Sequence, residues 1–368
     1  MEIFFVIAAV IGFPSALFGI YQVVQFMRRR GQPLTEERLR QIIADLLSQL
    51  QKKSAAPPPG APPVDTGELV AQATEKTEKL LAEAVELQRQ HREREAIEKL
   101  LTAYDMDMPP EAKAQLHILA GNGFLNLSEL EEAEGHYRQA LDAAERANDR
   151  LRQAIVLGNL GRLYRRRGDD KEAEEYQNRA LTMHRVMGDR LGQANALASL
   201  GILYGQRGDS DKAEEHLIRA LAIHIEVGQR LREAEDLGNL GLVYAQLGQF
   251  DRAEEHHIKA LAIQEEVGNR IGQGNQLGNL GNVYKNRGDL ERAEEHYRKA
   301  IAIQEEIGDR LGQAAALASL GNVYADRRDL ENAQEHYKKA LLLFQQIGAK
   351  LQIAQTEEAL EQIRKREK

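Results

Sequence analysis

Residues 271–310 read IGQGNQLGNLGNVYKNRGDLERAEEHYRKAIAIQEEIGDR, and near-copies of this forty-residue text begin at Leu151, Leu191, Leu231 and Leu311 with no insertion between them. A strict period of this length marks stacked repeats, each burying its apolar side against its neighbours. Laid on a helix at about 100° per residue, the first half sorts into three faces. Leu277, Leu280 and Tyr284 make an apolar stripe. Gly274, Gly278 and Gly281 lie on a flank where a second helix can come close. Asn275, Asn279, Asn282 and Asn286 fall nearly opposite the apolar stripe. Asparagine is a poor residue for a helix interior, so four on one stripe require a reason beyond helix formation.

Gly288 is expected to stop this helix in the left-handed conformation, and Asp289 to cap the next one. There, Ala293, Tyr297 and Ala300 form a second apolar stripe with small residues at the crossing. Each repeat is thus predicted to be two antiparallel helices of about 15 residues. The expected fold class is an all-α superhelical solenoid of helix pairs, preceded by a transmembrane helix.

The pattern Leu-Gly-x-x-Tyr, then Gly, then Ala-x-x-x-aromatic-x-x-Ala resembles the signature of the tetratricopeptide repeat (TPR). In the copy at Leu151 it reads Leu160-Gly161, Tyr164, Gly168, Ala173, Gln177 and Ala180, with the aromatic displaced to Tyr176. The family's tryptophan column is leucine here (Leu157, Leu197, Leu237, Leu277, Leu317) and its late proline is absent. The unit also exceeds the usual length of ~34 residues. The forty-residue form, with Gly-Asp-Arg between units, resembles the repeats of kinesin light chain and of G-protein-signalling adaptors.

The chain has 368 residues, no cysteine and a net charge of −8. Absence of cysteine excludes structural disulfides, thiolate metal sites and cysteine nucleophiles. Residues 1–64 carry a balance of +3 and the remainder −11, so an acidic array argues against binding along a nucleic-acid backbone.

Residues 3–27 are uncharged and mostly apolar, long enough for the ~20 residues a bilayer core requires. Only Glu2 and the amino terminus precede the run, whereas Arg28-Arg29-Arg30 follow it. That order favours an uncleaved anchor over a signal peptide and places the N-terminus outside, with the repeats in the cytoplasm. Residues 28–53 form a basic juxtamembrane segment and an amphipathic helix presenting Leu39, Ile42, Ile43, Leu46 and Leu50. Residues 54–65 are a proline-rich spacer, of which 54–64 would span about 34 Å if extended at ~3.1 Å per residue. Residues 66–110 read as a degenerate helical cap, with Ala96, Leu100 and Ala103 in second-helix register and a break at Pro109-Pro110. Six repeats follow (111–150, 151–190, 191–230, 231–270, 271–310 and 311–350), the first divergent, and 351–368 form a capping helix.

No phosphate-loop, nucleophile-elbow or His-Glu-x-x-His motif is present, and neither catalytic residues nor cofactors are expected. His136, His216, His256, His296 and His336 share one column. Stacked helices lie about 8–10 Å apart, too far for neighbours to share a metal at ~2 Å bonds. These are expected to be packing or surface histidines, and no metal site is expected.

Asn159, Ser199, Asn239, Asn279 and Ser319 precede the Leu-Gly pair in successive repeats. In the resembling families, first helices line a concave groove and an asparagine at this position hydrogen-bonds a ligand's backbone. An amide side chain supplies a donor and an acceptor together, matching a peptide unit. Flanking columns add Asn195, Asn275, Asn282, Asn286, Asn322, Arg162 and Arg166 to the expected peptide-binding set. Arg152, Arg162, Arg165 and Arg166 cluster in the Leu151 repeat, so acidic residues of the partner are expected to dock there. The expected function is a membrane-anchored adaptor that binds an extended peptide segment of a partner protein. Alternatives are a self-assembling membrane scaffold, with homo-oligomers, or an accessory subunit of a separately encoded enzyme.

Overall fold

A computed structural model describes residues 79–88, 92–103 and 108–366. The expected anchor, juxtamembrane helix and proline-rich spacer lie outside the described residues, as does most of the 66–90 helix. Among the described residues no helix is long and apolar enough to cross a membrane, and every regular element is an α-helix.

The chain divides into two compact units, Met1–Ala143 and Ala144–Lys368. In the first, residues 79–88 are helical and are followed by α1 (Glu93–Leu101), α2 (Pro110–Asn126) and α3 (Leu130–Arg146), whose last turn lies beyond the division. Pro109 is extended and Pro110 opens α2, because proline lacks the N–H that a first helical turn leaves unbonded. Ala84, Leu100, Ala103, Leu116 and Ala120 form the buried core of this unit, and Ala96 is also fully buried. Ala96, Leu100 and Ala103, the residues expected in second-helix register, are all fully buried.

The second unit contains five full repeats. Their helix pairs are α4 (Arg150–Arg167) with α5 (Asp170–Met187), α6 (Arg190–Gln206) with α7 (Ser210–Glu226), and α8 (Arg230–Gln246) with α9 (Phe250–Glu266). α10 (Arg270–Arg287) with α11 (Leu290–Glu306) and α12 (Arg310–Asp326) with α13 (Leu330–Ile347) follow, and α14 (Lys350–Arg366) closes the unit. The helices run 17 or 18 residues rather than 15, since the apolar column near each start, Leu151 to Leu351, is already helical. Gly288 stops α10 with φ of 86°, and the Asp289 carboxylate accepts the Arg292 backbone N–H at 3.1 Å.

Within a repeat the two helices meet through a missing side chain. A Cβ on Gly281 would stand 2.7 Å from the Tyr297 ring, so only glycine lets α10 and α11 approach this closely. Gly321 faces Tyr337 in the same way. Where the second helix carries Tyr297 or Tyr337, its hydroxyl donates to Asn282 Oδ1 or Asn322 Oδ1, both at 2.7 Å.

Between repeats the bond runs from tyrosine to glutamate. Tyr204, Tyr244, Tyr284 and Tyr324 donate to Glu174, Glu214, Glu254 and Glu294 of the preceding pair at 2.6–2.7 Å. Arg207, Arg252, Arg287 and Arg327 bond the same carboxylates. Hydrogen bonds to a charged acceptor contribute about 1.5–3 kcal/mol each, added to a core in which Leu200, Leu240, Leu280 and Leu320 are buried. Burial opposes ionisation of Glu294, yet the hydrogen bonds from Tyr324, Arg298 and Arg327 hold its carboxyl at about 2. A second series of ion pairs, Arg190–Glu226, Arg230–Glu266 and Arg270–Glu306, joins the start of the first helix to the end of the second within one repeat.

Candidate functional site

Each second helix packs between two first helices, but the first helices also touch one another across successive repeats. The face they share is therefore the closely approached one, and the amide column lies along it. Asn159 is buried, while Ser199, Asn239, Asn279 and Ser319 are half-buried. Asn195, Asn275, Asn282, Asn286, Asn322, Arg162 and Arg166 are exposed.

Five members of the expected set converge. Asn239 on α8, Asn275, Asn279 and Asn282 on α10, and Ser319 on α12 line one recess of about 500 Å³. Its floor is low because Gly238, Gly274 and Gly278 carry no side chain there. Asn282 is held in place by its bond from Tyr297, which itself lines the recess. With Oδ1 accepting, the Asn282 amide keeps its Nδ2 donors for another partner. Gln276 is similarly fixed: buried His257 donates from Nδ1 to Gln276 Oε1 at 2.8 Å. Burial lowers the His257 pKa against the opposing Gln276 bond, so this ring is the neutral Nδ1–H tautomer. Glu235 is the one charged residue of the lining, and Arg232 pairs with it at 2.6 Å. The recess is thus polar, close to neutral and rich in paired donors and acceptors.

The other seven residues stand apart from this recess. Ser199 turns its hydroxyl back to the Asn195 carbonyl at 2.9 Å, and Asn322 is bonded by Tyr337. Asn286 lies in the last turn of α10. Asn159, Arg162 and Arg166 share α4 with Arg165, a half-buried guanidinium whose Nη1 donates to Gln206 on α6 at 3.1 Å. Burial and then the neighbouring Arg162 and Arg166 charges lower the Arg165 pKa, so the basic cluster is a real concentration of like charge.

Sequence reasoning did not include Gln276, Tyr297, Gln304 or Leu242 in the site, yet all line the recess. Gln276 carried a usable signal, because its column otherwise holds Val156, Ala196, Asp236 and Ala316. The histidine column packs as expected. His216, His256, His296 and His336 lie against Tyr204, Tyr244, Tyr284 and Tyr324 at 4.9–5.2 Å between ring centres. Each also bonds the carbonyl four residues earlier at 2.8 Å. Among the described residues no three His, Asp or Glu side chains gather where a metal could bind.

A family model described as tetratricopeptide repeat matches residues 113–185, 192–266, 232–306 and 273–346. No curated protein matches the chain. Among solved structures, a Rap protein complexed with Competence and Sporulation Factor is similar at 16% identity and a TM-score of 0.60, over 95% of this chain and 96% of that one. Aspartyl phosphate phosphatase F from Bacillus subtilis is similar at 15% identity and a TM-score of 0.54, over 94% and 92%. The nearly identical TPR-like repeats of a putative kinesin light chain from Podosopora anserina are similar at 19% identity and a TM-score of 0.45, over 53% and 96%. For the first two, the likeness shows a shared fold.

Proposed function

The chain belongs to the tetratricopeptide-repeat family, a scaffold class for protein interaction, and we propose that it is a membrane-anchored adaptor that holds an extended segment of a partner protein on its first-helix face. The observation that carries this reading is the recess in which Asn239, Asn275, Asn279, Asn282 and Ser319 converge. Asn239 and Asn279 each offer a donor and an acceptor one repeat apart, and a peptide main chain presents the same pair along its length. The glycine floor allows a backbone, rather than only side-chain tips, to reach them. The Rap structure with its bound factor lends support as an example of a similar fold accommodating a ligand.

The adaptor works by presentation. The apolar run 3–27 supplies the anchor, with the array on the cytoplasmic side. Tethering raises local concentration and the groove supplies selectivity. Acidic residues of the bound segment lie toward the Leu151 repeat, where Arg162 and Arg166 stand exposed. The adaptor performs no covalent chemistry.

A photo-crosslinking residue placed at Leu242, which lines the recess and is 43% exposed, tests the proposal in intact cells. The expected result is crosslinking to a membrane-proximal protein, lost when Asn239→Ala and Asn279→Ala are combined. Crosslinks that persist in the double variant would remove the groove from the mechanism. Recovery of the full chain in the soluble fraction would remove the anchor.

A further inference from the structure

α4 carries six arginines and no acidic residue. Two are compensated by carboxylates: Arg152 pairs with Asp149, and Arg167 lies 3.9 Å from Asp169. Among the described residues, Arg162 and Arg165 have no carboxylate partner. Arg165 is the unusual one. Its Nη1 is spent on Gln206, but its Nε–H is closed off from solvent and has no acceptor. Leaving a charged donor unsatisfied is costly, and here two further guanidiniums add like-charge repulsion. The repeat architecture does not require this arrangement. The Arg162 column elsewhere holds Ile202, Leu242, Asn282 and Asn322, and the Arg165 column holds Gly205, Ala245, Lys285 and Ala325. One repeat alone has placed Arg162 and Arg165, neither bonded to a carboxylate among the described residues, near the junction of α4 and α6.

A guanidinium binds oxyanions best through two parallel N–H groups, and with Nη1 occupied the Nε/Nη2 edge of Arg165 is the fork that remains. We infer that Arg165, flanked by Arg162 and Arg166 and oriented by Gln206, is a binding site for a dianionic phosphate group carried on the partner segment. Two negative charges match the two guanidiniums of Arg162 and Arg165, and three oxygens can engage the Arg165 fork and the Arg162 guanidinium together. The long, exposed Arg162 and Arg166 side chains part to admit the group. The site lies on the face already assigned to the partner and in that sense rests on that reading. Free phosphate, however, needs no peptide, so the two can fail separately.

The test uses the full chain labelled with ¹⁵N at arginine Nε. The Arg165 resonance is identified by its loss in Arg165→Lys. Inorganic phosphate, phosphoserine amide, serine amide and acetate are each titrated against chloride at constant ionic strength. Saturable movement of that resonance is expected with phosphate and phosphoserine amide. At least tenfold weaker binding is expected for acetate, none for serine amide, and weakening of about tenfold in Arg162→Gln. Tighter binding of phosphoserine amide than of phosphate supports a protein-borne group, whereas the reverse order overturns that source. Movement no greater than in chloride, equal binding of acetate, or indifference to Arg162→Gln overturns the site. Arg165→Met, which removes the isolated cation, is expected to melt no lower than the parent chain. A lower melting point would assign Arg165 to structure instead.

Discussion

Gly278 separates what the fold needs from what the recess needs. It sits mid-helix in α10 and lines the recess, and a Cβ built on it would meet nothing within 4 Å. Glycine in a helix interior costs about 0.8–1 kcal/mol relative to alanine. No packing contact returns that cost, in contrast to Gly281, where a Cβ would strike the Tyr297 ring. Gly278→Ala is therefore expected to stabilise the array by about 0.5–1 kcal/mol, read as a higher urea midpoint by circular dichroism at unchanged slope. The same methyl stands on the floor that a bound main chain would press against. Overpacking at such a contact costs about 1–3 kcal/mol, or roughly five- to hundredfold in affinity. Crosslinking from Leu242 should fall accordingly, while Gly281→Ala should destabilise the array by a similar 1–3 kcal/mol. A Gly278→Ala chain that is more stable and crosslinks as well as the parent would show that no ligand backbone lies on this floor. One that is less stable would refute the helix argument.

Three further outcomes follow from the side chains between helices. Tyr324→Phe removes one donor from Glu294 but leaves Arg298 and Arg327, so a loss of about 1–2 kcal/mol is expected in urea unfolding. The Glu294 carboxyl is held at about 2, and Glu174 and Glu254 lie below their ordinary value. Their stabilisation is present above the unfolded carboxylate value and disappears as pH falls through the folded one. Melting measured between pH 6 and pH 2 should drop steeply below about pH 4.5, and less steeply in Glu294→Gln. His224 and Asp236 form a buried pair at 2.6 Å, with burial raising the Asp236 pKa. His224→Ala leaves that acid without its partner and should cost about 3–5 kcal/mol. The double variant with Asp236→Ala should recover part of this, and strict additivity would show that the two groups do not interact.

The repeat period, the glycine stop at 288 and the apolar columns were legible because they depend on spacing along one helix. The bonds between helices depend on how two helices rotate against each other, which spacing alone does not give. Asn282 and Asn322 entered the site as amides for a ligand, yet each is already bonded by the tyrosine fifteen residues later. A trace of this existed: the helices carrying Gln177, Leu217 and His257 face Arg162, Ile202 and Leu242 at that offset instead. The Tyr–Glu bonds across thirty residues were equally recurrent, but glutamate beside glutamate reads as a solvated surface. The bond that Ser199 makes is local and was not anticipated, since a helical serine can return its hydroxyl to the carbonyl four residues back. The recess could not be located in advance because it depends on three helices and on Gln276 and Tyr297 at once.

The Arg–Glu clasps at 190/226, 230/266 and 270/306 each close one helix pair, and the pairs on either side have no counterpart, because positions 186 and 346 are Val186 and Gln346. The row of fasteners therefore covers the three middle pairs and stops short at both ends. An array strained lengthwise parts its outermost hairpins first, while the three consecutive hairpins in the middle keep their two arms together.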